Sequence, residues 1–99
     1  MLVVHKYTLR FDDSDCANAY IPQGGKILDC QLQHGDVVLW AWVDTERPEV
    51  PRSFKMFPTG LATHDGPSAG WRWQHVATIQ FEVRDGHAGY VGHIFEGVK

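Results

Sequence analysis

KILDCQLQHGDVVLWAWVD, residues Lys26 to Asp44, reads as a single β-hairpin. Leu28, Cys30 and Leu32 alternate along the first arm with the period-two pattern of a half-buried strand. The second arm, Val37 to Val43, is apolar almost throughout and carries Trp40 and Trp42, which are expected to fill one side of a small core. Between the arms, His34-Gly35-Asp36 forms the turn, with Gly35 able to take the positive φ that tight hairpin loops need. A hairpin of this kind makes the chain a sheet protein and leaves its chemistry open.

The flanking sequence repeats the pattern. From Val3 to Phe11, residues Val3, His5, Tyr7, Leu9 and Phe11 face one way and Val4, Lys6, Thr8 and Arg10 the other. Asp12 to Asp15 is a polar turn. Ala17 to Ile21 is a short strand ending at Pro22, and Pro22-Gln23-Gly24-Gly25 is a turn. After the charged loop Asp44 to Pro48, Val50 to Phe57 is a strand with Phe54 and Met56 on one face and Lys55 on the other. Pro51 places its start at a sheet edge. Pro58 to Trp73 is the longest irregular segment, and long loops in compact domains often carry function. Gln74 to Val83 is a strand with Ala77, Ile79, Phe81 and Val83 on one face. Asp85-Gly86 turns the chain into a last strand, Tyr90 to Phe95. No 3.6-residue apolar period supports a helix, and at most one short helical turn is expected, in the long loop or near residues 12–18. The expectation is an all-β single domain over residues 1–99. Six or seven strands would form a small antiparallel meander, closed as a barrel or sandwich, with its first and last strands paired or adjacent.

With 99 residues, the chain supports one core and little deep private pocket, so a ligand site between the subunits of a homo-oligomer is expected. The net charge of −3 is spread without a basic stripe, which argues against nucleic acid as a partner. No apolar run reaches the ~20 residues that span a bilayer, and MLVVHKYTLR lacks the apolar core of a signal peptide. No membrane partner and a cytoplasmic location are therefore expected. Cys16 and Cys30 are not in a CxxC arrangement and are expected to stay reduced, Cys30 as a core residue.

Six histidines are present, His5, His34, His64, His75, His87 and His93. HExxH is absent, and His87 and His93 have no third ligand at a telling distance, so no metal site is expected. None of the six is followed two residues later by Thr or Ser, no GxSxG elbow occurs, and neither phosphate-loop motif is present. No catalytic residue, cofactor or enzymatic activity is read from the chain. The aromatic residues say more. Trp71-Arg72-Trp73 leaves the glycine-rich loop, and a guanidinium near indoles supports cation–π stacking or capture of an anionic planar ligand. Arg52 lies on the loop's other flank, and Thr59-Gly60 offers a hydroxyl and backbone N–H groups. Trp71 and Trp73 are equally readable as core anchors.

The ordered series His5-Lys6-Tyr7-Thr8-Leu9, Ile21-Pro22-x-Gly24-x-x-Ile27-Leu28, Leu39-Trp40-Ala41-Trp42-Val43-Asp44, Thr59-Gly60, Thr78-Ile79-Gln80-Phe81 and His93-Ile94-Phe95-Glu96 resembles a family of short uncharacterised bacteriophage and prophage proteins. The resemblance covers nearly the whole chain and departs between Gly60 and Gln74, where this chain is longer and richer in tryptophan. It implies an accessory phage protein acting in the cytoplasm of an infected bacterial host. Such proteins often counter a defence system by binding. The leading expectation is a non-catalytic protein that sequesters a small nucleotide signal. Trp71 or Trp73 would stack on a base, Arg52 or Arg72 would contact phosphate, and Thr59 and Gly60 would donate hydrogen bonds. His93, which matches the terminal motif, is a site residue or a buried structural one. The alternatives are an inhibitor of a host defence protein, a small nucleotide hydrolase, and a virion component.

Overall fold

A computed structural model describes residues 1–81 and 89–99. Seven strands follow one another: β1 Leu2–Leu9, β2 Cys16–Pro22, β3 Lys26–Gln33, β4 Asp36–Asp44, β5 Glu49–Pro58, β6 Arg72–Gln80 and β7 Val91–Val98. They form two antiparallel sheets, ordered β1-β4-β3 and β2-β5-β7-β6. The fold is all-β and sandwich-like, and no helix occurs among the described residues. The same residues therefore hold no helix long and apolar enough to cross a membrane.

The central hairpin is β3–β4. Gln33 pairs with Asp36 across a two-residue loop, His34-Gly35. Both loop residues have positive φ, 51° and 85°. A type I′ turn demands this, and it matches the right-handed twist of the flanking strands. One detail departs from the alternation expected of β3. Ile27 lies opposite Ala41 and Asp29 opposite Trp40, so Leu28 is the extra residue of a β-bulge. The inward row is Ile27, Cys30 and Leu32, and Leu28 is 49% exposed.

The tryptophans of β4 are a second correction. Leu39, Ala41 and Val43 face the other sheet and are fully buried, whereas Trp42 is 47% exposed on the opposite face and Trp40 is half-buried there. Phe54, Ile21, Leu39, Ile94 and Val43 fill the space between the sheets. At close-packed density no volume remains there for an indole. An apolar run such as Val37–Val43 has no alternation to reveal which face turns inward.

The terminal strands neither pair nor adjoin. β7 has β5 on one side and β6 on the other, so both its edges are occupied, and β1 pairs with β4 in the other sheet. Pro51 pairs with Tyr20, and β7 joins β5 only from Phe54 onward. The missing N–H of the proline thus falls where β5 has a neighbour on one side alone. β6 begins at Arg72, earlier than the pattern predicts, and the irregular segment shortens to residues 59–71. That segment is tied down: Trp73 N–H donates to the Asp65 carbonyl at 3.0 Å and Trp71 N–H to the Ser68 carbonyl at 3.0 Å. The strand end at Val83, the Asp85-Gly86 turn and His87 lie outside the described residues.

Candidate functional site

β3 is an outer strand of one sheet and β6 of the other, and their Cα atoms approach within 8 Å. β6 is also bulged: His75 faces Phe95 and Ala77 faces Ile94, leaving Val76 as the extra residue. The two bulges look onto one groove of about 400 Å³, lined by Lys26, Leu28, Asp29 and His75 with Arg52 and Glu96.

Arg52 and Glu96 reach the groove from neighbouring strands. Glu96 pairs with Phe54 across β7 and β5, and Arg52 is two residues earlier on the same inward face. Arg52 Nε donates to Glu96 Oε2 at 2.5 Å and Nη2 donates to Oε1 at 2.9 Å. Nη1 donates to the Gly25 carbonyl at 2.5 Å. Glycine is required at that approach, because a Cβ on Gly25 would lie 2.8 Å from Ile21 and 3.0 Å from Val43. The side chains are only 21% and 9% exposed. A carboxylate so placed needs a paired, hydrogen-bonded cation. Three of the five guanidinium N–H groups are engaged, and the other two have no protein acceptor among the described residues. With Lys26 and Asp29 at the rim, formal charge in the groove is balanced.

A second polar group crosses the outer face of the four-stranded sheet. Phe57, His93 and Thr78 are neighbours in register, and Thr59 follows Phe57 by two residues. Thr59 Oγ1 lies 2.7 Å from His93 Nε2, His93 Nδ1 lies 3.1 Å from Thr78 Oγ1, and Thr78 Oγ1 lies 3.0 Å from His75 Nε2. In one closed assignment Thr59 O–H donates to His93, His93 Nδ1–H donates to Thr78, and Thr78 O–H donates to His75; the reverse direction closes equally well. His75 belongs to both groups, as the end of this chain and as part of the groove rim.

Beside the chain, Phe57 packs edge-on against Trp73 at 5.7 Å, His64 at 6.0 Å and Phe95 at 5.5 Å between ring centroids. Phe57 points away from the main core, yet it is buried beneath segment 59–71. Trp73 is half-buried in this cluster, and its Nε1–H is buried without an acceptor among the described residues. Trp71 is 40% exposed, and the cation over its ring is Lys99 at 5.9 Å. Arg72 is exposed opposite Val98, and Gly60 is exposed with φ 90°.

The residues expected to share a site therefore divide. Thr59 and His93 are in direct contact, with Trp73 in the adjoining aromatic cluster. Trp71 and Gly60 belong to segment 59–71 and Arg72 to the start of β6, while Arg52 is on the opposite, inward face of the sheet. Sequence reasoning missed Glu96, His75 and Thr78. Glu96 had a readable signal, since it falls in step with Ile94 on the apolar face of its strand. His75 and Thr78 had none, because the bulge between them hides their relation. Among the described residues no three His, Cys, Asp or Glu side chains gather to hold a metal ion.

A family model described as a domain of unknown function (DUF7352) matches residues 1–99. No curated protein and no solved structure matches the chain.

Proposed function

The chain belongs to the DUF7352 family, and we propose that it is a non-catalytic binding protein that captures a small nucleotide in the groove between β3 and β6. One observation carries this reading: a groove of about 400 Å³ is lined by a doubly hydrogen-bonded guanidinium–carboxylate pair. Small-ligand sites run from roughly 300 to 1,000 Å³ and hold few, well-placed polar groups. A nucleobase edge presents donors and acceptors side by side. Glu96 oxygens and the free Arg52 N–H groups are the complementary set. Arg52 then orients the base, and Lys26 at the rim takes the phosphate. The resemblance to phage proteins supports the setting, the cytoplasm of an infected bacterium, and the purpose, withholding a defence signal from its receptor.

The test is native mass spectrometry of the protein with cyclic and ADP-ribose-type nucleotides, followed by heat release and chromatography. Intact nucleotide is expected from the wild type, with at least tenfold weaker capture by Glu96→Gln, roughly one charge-assisted hydrogen bond. No capture at micromolar protein overturns the reading.

A second reading is hydrolysis, favoured by the 2.7 Å contact of Thr59 with His93, whose other nitrogen meets Thr78. A hydroxyl, a base and an orienting group stand in the order that nucleophilic catalysis uses. Altered nucleotide in the same experiment, lost in His93→Ala, would replace sequestration with turnover.

A further inference from the structure

Gln74 opposes Glu96 in the β6–β7 register, and opposed residues of an antiparallel pair project from the same face. Glu96 is buried on the inward face, so the Gln74 side chain projects inward as well. It lines the groove together with Arg52. Gln74 is exposed, which leaves its amide open to a ligand.

The guanidinium of Arg52 is planar and holds its five N–H groups in fixed directions. Nε–H and one Nη2–H share an edge, and the two oxygens of Glu96 occupy that edge. The second Nη2–H therefore points along the terminal edge, beside Nη1. The Gly25 carbonyl accepts one Nη1–H and leaves the other. Glu96 also offsets the charge behind these donors, so the terminal edge suits neutral acceptors, and the unpaired charge of Lys26 suits phosphate.

The bases differ in the order of groups around their edges. Guanine presents N7, O6 and N1–H, two acceptors followed by a donor, and cytosine presents O2, N3 and N4–H in the same order. Adenine (N7, N6–H, N1) and uracil (O4, N3–H, O2) alternate acceptor, donor, acceptor. Against two guanidinium donors the alternating bases set a donor on a donor. A part-buried site built for hydrogen bonds rejects such a mismatch strongly, because both groups lose their partners.

Resting on the reading of this groove as a nucleotide site, we propose that Arg52 and Gln74 select a base with two neighbouring acceptors and then a donor, guanine or cytosine, over adenine and uracil. Gly25 holds the outer Nη1–H, the terminal edge of Arg52 donates to the two acceptors, and Gln74 Oε1 accepts the N–H of the base.

Calorimetric titration of the full chain with the cyclic mononucleotides of guanine, cytosine, adenine and uracil tests this, since the four differ in base alone. The guanine nucleotide, the cytosine nucleotide or both are expected to bind about tenfold or more tighter than the other two. A guanine analogue with carbon in place of N7 separates the two sources, because about tenfold weakening relative to guanine identifies the N7–O6 edge. Gln74→Leu is expected to weaken the preferred nucleotide about fivefold or more and to leave adenine binding unchanged. Equal binding of all four, tighter binding of adenine or uracil, or a preference unchanged in Gln74→Leu overturns the inference and leaves nucleotide capture standing. Binding of none of the four overturns the inference, and the wider nucleotide panel then decides whether capture fails with it.

Discussion

Arg52 and Glu96 form a two-pronged ion pair across adjacent strands, 2.5 and 2.9 Å between their donor and acceptor atoms, at a depth where neither charge is well hydrated. Removing one member leaves the other buried and unpaired. Glu96→Ala is expected to cost about 3–5 kcal/mol of unfolding free energy, while replacing both, Arg52→Met with Glu96→Leu, is expected to be neutral or stabilising. Urea titration of the three proteins checks this. A single variant within about 0.5 kcal/mol of wild type would mean that water already serves the carboxylate.

Thr78 joins two histidines on the outer face. Thr78→Val keeps the shape and removes the hydroxyl, at an expected cost of about 1 kcal/mol. The more specific result is spectroscopic. Long-range proton–nitrogen spectra should show His93 and His75 in matching tautomer proportions in the wild type, both Nδ1–H or both Nε2–H, and in unequal proportions in the variant. Unchanged ring signals would show that other groups set the tautomers.

Burial, assisted by the neighbouring Asp29 carboxylate, pushes the Cys30 thiol up to about 11. At mildly alkaline pH the folded chain should therefore be alkylated at half-buried Cys16 well before Cys30. The linkage has a definite sign. Between the ordinary thiol value of 9.0 and about 11, the unfolded chain has released this proton and the folded chain has not. Stability contributed by the neutral thiol is complete below the lower value and falls as pH rises through that window, by about 1–3 kcal/mol. Cys30→Ala should flatten this part of the pH–stability curve. Equal curves for the two proteins would contradict the assignment.

Gly66 lies against the backbone of Trp71, and a Cβ there would overlap the Trp71 carbonyl. Backbone cannot swing aside as a side chain can. Gly66→Ala is expected to unseat segment 59–71 from Phe57 and cost about 1–3 kcal/mol. Red-shifted tryptophan emission and faster proteolysis within the segment would report it. By contrast, a Cβ on Gly35 meets nothing within 4 Å, so Gly35→Ala should bear only the backbone cost of φ 85°, about 1–2 kcal/mol.

The architecture was legible where local chemistry determined it. His34-Gly35 announced the tight turn, and the alternation from Val3 to Phe11 announced a half-buried strand, which in the fold ends at Leu9. What failed had identifiable physical causes. One inserted residue at Leu28 reverses the facing of part of β3, and period-two reasoning has no means to anticipate an insertion. The uniform apolarity of Val37–Val43 conceals its facing, so Trp40 and Trp42 were assigned inward when only the smaller side chains fit there. Pairing of the chain ends is a question of sheet order, which no local pattern encodes. For the candidate site, Thr59 and His93 were both picked out, but their contact spans 34 positions. Glu96, the one buried charged residue among those described, was passed over because acidic residues read as surface until a partner is known.

The extra residues Leu28 and Val76 have a consequence for how the molecule behaves in a crowded solution. An outer strand with an unbroken row of N–H and C=O groups is a template on which another chain can lay down a strand. On β3 and β6 that row is interrupted and kinked, at Leu28 and at Val76. The same two insertions that line the groove thus deny a passing strand a continuous ladder. Deleting Leu28 would restore that ladder along β3, and the expected outcome is faster fibril growth than from the wild-type chain.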